Sequence, residues 1–182
     1  ALIVILFFVS MSVGRYRIPF PDVIKYFTGQ TVPELSARVI AYLRLPRTLL
    51  AALVGCALAV SGAIYQSAFN NKLVSPDLLG VSSGASVGAC FAILLGLSGV
   101  FISLFSFAMG FIAVILTVLI AKIFKNKSNV VLLLSGIAVG GLMSSGVGLM
   151  KYLADDEMKL AEMTYWLLGD LSGTTMKEVW IM

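Results

Sequence analysis

Histidine is absent from the 182 residues, which removes the side chain most used as a metal ligand and as a general base near neutral pH. Charge is scarce as well. Asp, Glu, Lys and Arg make up 12% of the chain, against about 25% in soluble domains. So few charges cannot coat a water-facing surface. With 59% apolar residues and a mean hydropathy of +1.01, the implied solvent is lipid. The two cysteines, Cys56 and Cys90, both lie inside apolar runs. They read as small buried apolar side chains, not as a disulfide or a metal pair. No phosphate-binding loop occurs: Gly80-Val81-Ser82-Ser83-Gly84-Ala85 lacks the Gly-Lys-Ser/Thr ending and sits in an apolar segment. No basic stripe interleaved with aromatics is present, which speaks against a nucleic-acid partner. The net charge of +4 suits lipid headgroups or an acidic partner.

What remains is a series of long uncharged runs. Residues 48–69 carry no charge and make a helix of about 33 Å at roughly 1.5 Å per residue, enough to cross a bilayer core. Residues 78–121 are also uncharged and long enough for two crossings, with a turn signal at Gly96-Leu97-Ser98-Gly99. Lys122, Lys125 and Lys127 form a short basic loop, and 130–150 is uncharged again. The expected fold is therefore all-α: one polytopic transmembrane helical domain over 1–182. Its approximate spans are 1–14 (partial), 48–69, 78–96, 100–122, 130–152 and 175–182 (the start of a further span). The partial first and last spans suggest a chain cut at both ends.

Small residues recur every four positions. Gly80, Gly84, Gly88, Ala92 and Gly96 form one series, Gly136, Gly140, Ser144 and Gly148 another, and Gly55, Ala59 and Ala63 a third. Each series lies along one helix face. Close helix packing is the plain explanation. A face that borders a solute path is the functional one.

The polar segments each admit two readings. Leu43-Arg44-Leu45-Pro46-Arg47-Thr48 stands at the mouth of a span, with Pro46 suited to a first helical turn. Arg44 and Arg47 either snorkel to headgroup phosphates or present guanidinium forks to a partner's carboxylates. The polar connection from Gln66 to Asp77 reads as a turn, with Pro76 and Asp77 opening the next helix. Asp155, Asp156, Glu157 and Glu162, interrupted by Lys159, read as a solvated interfacial helix in place of a catalytic or metal cluster. Tyr165, Trp166 and Trp180 fit a membrane-surface aromatic belt. The distribution of Lys and Arg would place the loops containing Arg15 to Arg47 and Lys151 to Lys177 in the cytoplasm, and Lys72 and Lys122 to Lys127 outside.

Five ordered motifs resemble one family. They are Arg44-Leu45-Pro46-Arg47-Thr48, the small-residue run from Gly55 to Gly62, the segment from Gln66 to Ala85, Leu132-Leu133-Leu134-Ser135-Gly136-Ile137-Ala138, and Trp166-Leu167-Leu168-Gly169-Asp170-Leu171-Ser172-Gly173. In this order they are similar to the FecCD-type ABC importer permeases, which include the vitamin B12 importer permease. This chain departs from the family at Lys72, where proline is usual, and at Asp170, where serine is frequent.

The resemblance implies a permease subunit for iron-siderophore, haem or cobalamin-type chelates, with ten spans in the whole family chain, about five to six of them here. It implies a second permease subunit in a homodimer or heterodimer, two ATPase subunits that use ATP and magnesium, and an extracytoplasmic substrate-binding protein. It places the protein in the bacterial cytoplasmic (inner) membrane, with no catalytic site, metal or cofactor of its own. It also puts the Arg15–Arg47 region outside, opposite to the charge count, and makes Arg44 and Arg47 the binding-protein docking residues. Ser128 and Asn129 fall near the family's cytoplasmic gate, and Gly140 and Ser144 on its main pathway-lining span. The rival expectations are a non-transporting membrane scaffold, an intramembrane enzyme and a secondary transporter. The last two are disfavoured by spans that lack paired polar groups and charge.

Overall fold

The computed structural model describes residues 2–72, 74–124 and 128–181. Lys125 and Lys127 of the basic loop, Leu73 of the polar connection, and the end residues Ala1 and Met182 lie outside them. The described residues form helices joined by turns and short connections, without strands. The helices are α1 (Leu2–Ser12), α2 (Phe20–Phe27), α3 (Glu34–Arg38), α4 (Leu45–Ala68), α5 (Val81–Leu94), α6 (Gly99–Ile123), α7 (Asn129–Tyr152), α8 (Glu157–Leu168) and α9 (Met176–Ile181). Two compact units emerge, one of residues 1–59 with 170–182 and one of residues 60–169, so their boundary falls within α4. Among the described residues, three helical stretches are long and apolar enough to cross a membrane: Glu34–Ala68, Gly99–Ile123 and Asn129–Tyr152.

In the first unit the helix leading into α4 does not begin at Pro46. It starts at Glu34 and runs through a wide, π-helical turn over Val39–Arg44. There the amide of Leu45 bonds to the carbonyl of Ile40, five residues back. The reason is local: a proline inside a helix has no N–H and crowds the carbonyl four residues earlier. Widening the preceding turn relieves that crowding. Pro46 is thus a buried interior residue, not the first-turn residue its sequence context suggests. Met11, Ile18, Val23 and Ile40 close a small core, with Phe7, Phe8 and Tyr26 packed on it.

In the second unit α5 packs on α6 and α7, and α8 packs on α5. One core patch joins Ala89, Cys90, Ala92, Ile93 and Ile102 to Met163 of α8; another joins Val87, Ala113, Val139 and Met143. The segment expected as one span over 78–96 is broken. A tight 3₁₀ turn over Pro76–Leu79 is followed by Gly80 at φ +76°, and α5 proper has 14 residues. That left-handed φ is one glycine adopts without penalty, and it re-aims the chain between the turn and α5. The reversal after α5 falls at Gly96, φ +70°.

Apolar side chains cover the outside of both units. On α6 Val100, Phe107 and Phe111 are exposed, and on α4 Leu58, Val60 and Ile64. Such faces are those of helices solvated by lipid or by further protein. Cys90 is buried as its apolar setting suggests, whereas Cys56 is exposed. No part of the apolar window of its helix is buried among the described residues.

Candidate functional site

Close approach of backbones organises the second unit. A methyl group added at Gly88 would stand 2.1 Å from the carbonyl oxygen of Phe105 on α6. One at Gly84 would meet the Ala113 side chain at 2.6 Å and the Met109 carbonyl at 2.7 Å. At Gly136 on α7 it would lie 2.1 Å from the carbonyl oxygen of Leu78, in the 3₁₀ turn. Gly80 is nearly as tight, 3.1 Å from the amide nitrogen of Gly140, while Gly140 itself has ordinary contacts at 3.7 Å and beyond. Four of the eight expected packing residues are therefore at true backbone contacts. Gly55 and Gly148 have no described neighbour within 4 Å, and Ala59 is exposed.

The turn before α5 is fixed by a residue that spacing does not reveal. Thr117 of α6 is fully buried, and its hydroxyl donates to the carbonyl of Leu79 at 3.0 Å. A buried carbonyl at a helix break needs such a donor. Lys159 likewise departs from its expected place in a solvated helix. It is half-buried and its ammonium donates to the Leu94 carbonyl at 2.9 Å. A cation there complements the negative end of α5. Asp156 caps α8 by accepting from the Met158 amide at 2.9 Å.

The pathway candidates sit apart from one another on α7. Ser128 caps its start, accepting from the Val130 amide at 3.3 Å. The Asn129 side-chain amide reaches the Phe69 carbonyl at 3.5 Å. Farther along, the hydroxyl of Ser144 stands 3.5 Å from that of Ser83 on α5, beside Gly140 and Gly80. A shallow apolar hollow of about 460 Å³ lies beside α6, bordered by Val81, Ala85, Ser106, Phe107 and Trp166. No group of three or more Asp, Glu or Cys residues converges among the described residues. These surfaces offer close backbone contacts and hydroxyls.

The two arginines of the first unit are each engaged, in different ways. Arg44 is half-buried, and its guanidinium donates to the carbonyls of Met11 and Tyr16. It therefore ties the end of α1 to the connection before α2, and it crowds Gly14, where a methyl group would lie 2.8 Å from its Nη2. Arg47 is exposed. Its Nε donates to the Leu171 carbonyl at 3.2 Å and its Nη2 to the Ser172 carbonyl at 3.0 Å. The turn it holds is built on itself. Asp170 accepts from the Ser172 amide at 2.7 Å and from the Ser172 hydroxyl, and the Thr174 hydroxyl donates to Leu171 at 2.8 Å. The Asp170 carboxyl is held below its ordinary value, first by the Ser172 hydroxyl, then by the Ser172 amide, with the charge of Arg47 a smaller cause.

Long apolar helices locked at glycines define a polytopic membrane protein of the all-α class. The FecCD transport family matches residues 2–182, and the chain belongs to that family. It is 34% identical over 98% of its length to the molybdate import system permease protein MolB of Haemophilus influenzae, covering 54% of that protein. It is 35% identical over its whole length to the vitamin B12 import system permease protein BtuC of Klebsiella pneumoniae, covering 52% of it. A solved structure of a metal-chelate type ABC transporter in an inward-facing conformation superposes with a TM-score of 0.80 at 32% identity, over 98% of this chain and 54% of that one. The chain spans about half the length of the curated relatives it matches.

Proposed function

We propose that this chain forms part of the transmembrane permease of a binding-protein-dependent ABC importer in the bacterial cytoplasmic membrane. The cargo is a metal chelate of the iron-siderophore, haem or cobalamin type. Two permease subunits pair around the path, separate ATPase subunits supply the work from ATP and magnesium, and an extracytoplasmic binding protein delivers the cargo. The observation that carries this reading is the family membership over residues 2–182, joined to helices that meet at Gly84, Gly88 and Gly136. Helices in such contact can shift without dislodging bulky side chains, and an alternating path requires shifts of that kind.

Within this reading Gly140 and Ser144 on α7 face the path, Ser128 and Asn129 stand near its cytoplasmic gate, and Arg47 belongs to the outward docking face. Arg44 shapes that face from beneath. The test is ATP hydrolysis by the full-length permease purified with its ATPase subunits in nanodiscs. A candidate binding protein loaded with chelate should raise the rate several-fold. No stimulation with any chelate, together with stimulation by molybdate-loaded protein, would move the cargo to oxyanions. No stimulation by either would defeat the importer reading.

A further inference from the structure

We infer that Arg47 is a releasable tether: docking of an acidic side chain exchanges the Leu171 and Ser172 carbonyls for a carboxylate and frees the turn between α8 and α9. The inference rests on the importer reading and adds a regulation to its docking face.

Three observations lead to it. First, Arg47 is exposed yet already spends its fork on two neutral backbone carbonyls, at 3.2 and 3.0 Å. A carboxylate offers the guanidinium a charged, bidentate acceptor that matches its fork, which two separate neutral carbonyls do not, so an acidic partner displaces them. Second, the carbonyls are not stranded by the exchange. Leu171 keeps the Thr174 hydroxyl at 2.8 Å, and Ser172 is at the surface, open to water. The turn therefore keeps its own shape and loses only its tie to the start of α4. Third, Asp170 does not take the place of the partner. Its carboxylate is engaged by the Ser172 amide and hydroxyl. The two ion pairs among the described residues, Lys25 with Asp22 and Arg38 with Glu34, leave both Arg47 and Asp170 out. Arg44 cannot play the same part, because its guanidinium is half-buried against Met11 and Tyr16.

The exchange couples an event outside the membrane to the segment that leads into α9. A nitroxide on Gly173→Cys reads it. Gly173 is exposed and has no described atom near its Cβ position, so the label disturbs little. In the full-length complex on a cysteine-free background, a binding protein that stimulates the ATPase should raise the label's mobility about twofold or more. Arg47→Gln should show the mobile spectrum without partner and no further response. Arg47→Lys, which keeps the charge but not the fork, should be mobile without partner and still dock. Normal docking with an unchanged label in the unsubstituted protein would overturn the tether and leave the docking reading standing. Absence of docking altogether would overturn both.

Discussion

At the scale of single residues, the arginines separate two uses of one side chain. Arg44 satisfies carbonyls at the end of α1, and Arg47 holds a surface turn. Arg44→Gln should therefore cost about 1–2 kcal/mol of stability, the usual worth of charge-assisted bonds in a partly exposed setting. A fluorescence-monitored melt of the full-length protein in detergent checks this; a melting temperature equal to that of the unsubstituted protein would contradict it. The Asp170 turn carries a pH signature. A carboxyl whose value is lowered by folding stabilises the fold above its unfolded value, near 3.8, and loses that contribution as pH falls through its folded value. The Gly173 label should thus keep its spectrum as pH falls from 7 to the ordinary carboxyl value of 3.8, and loosen only below it. The direction was not readable from the sequence, where Asp170 stands out as a departure from the family's serine but its partner Ser172 does not.

At the scale of elements, glycine spacing picks out helix faces, and close approaches fall at Gly80, Gly84, Gly88 and Gly136. It could not say which members of a series meet a neighbour. Gly136 and Gly140 are one turn apart on the same face, yet the carbonyl of Leu78 bears on the first and leaves the second room. Gly136→Ala should lower the thermal stability of the full-length protein by about 2–3 kcal/mol, the scale of overpacking in a tight core. Gly140→Ala should change it by about 0.5 kcal/mol or less. Equal effects would mean that the turn before α5 is not seated on Gly136. That turn, its buried Thr117 clamp and the π-helical stretch before Pro46 were invisible in the sequence for one reason. Each depends on a backbone carbonyl meeting a group far away in the chain or an irregular hydrogen bond, and neither leaves a periodic trace.

At the scale of the whole molecule, the class was legible because lipid is a demanding solvent: it forbids charge over long runs and requires backbone groups to be satisfied within helices. Uncharged runs of about 20 residues or more therefore point to membrane-spanning helices in place of the shorter strands of a barrel, and the ordered motifs point to the family. The charge count and the family topology point in opposite directions for the outer loops. Under the proposed importer reading, an outward basic face is what a delivery partner with carboxylates would need, and Arg47 is an exposed guanidinium. The most direct measurement is chelate uptake into proteoliposomes holding the full-length permease, with and without its ATPase subunits and the binding protein. The account predicts accumulation that requires all three components and ATP. Accumulation driven by an ion gradient without the ATPase would contradict it.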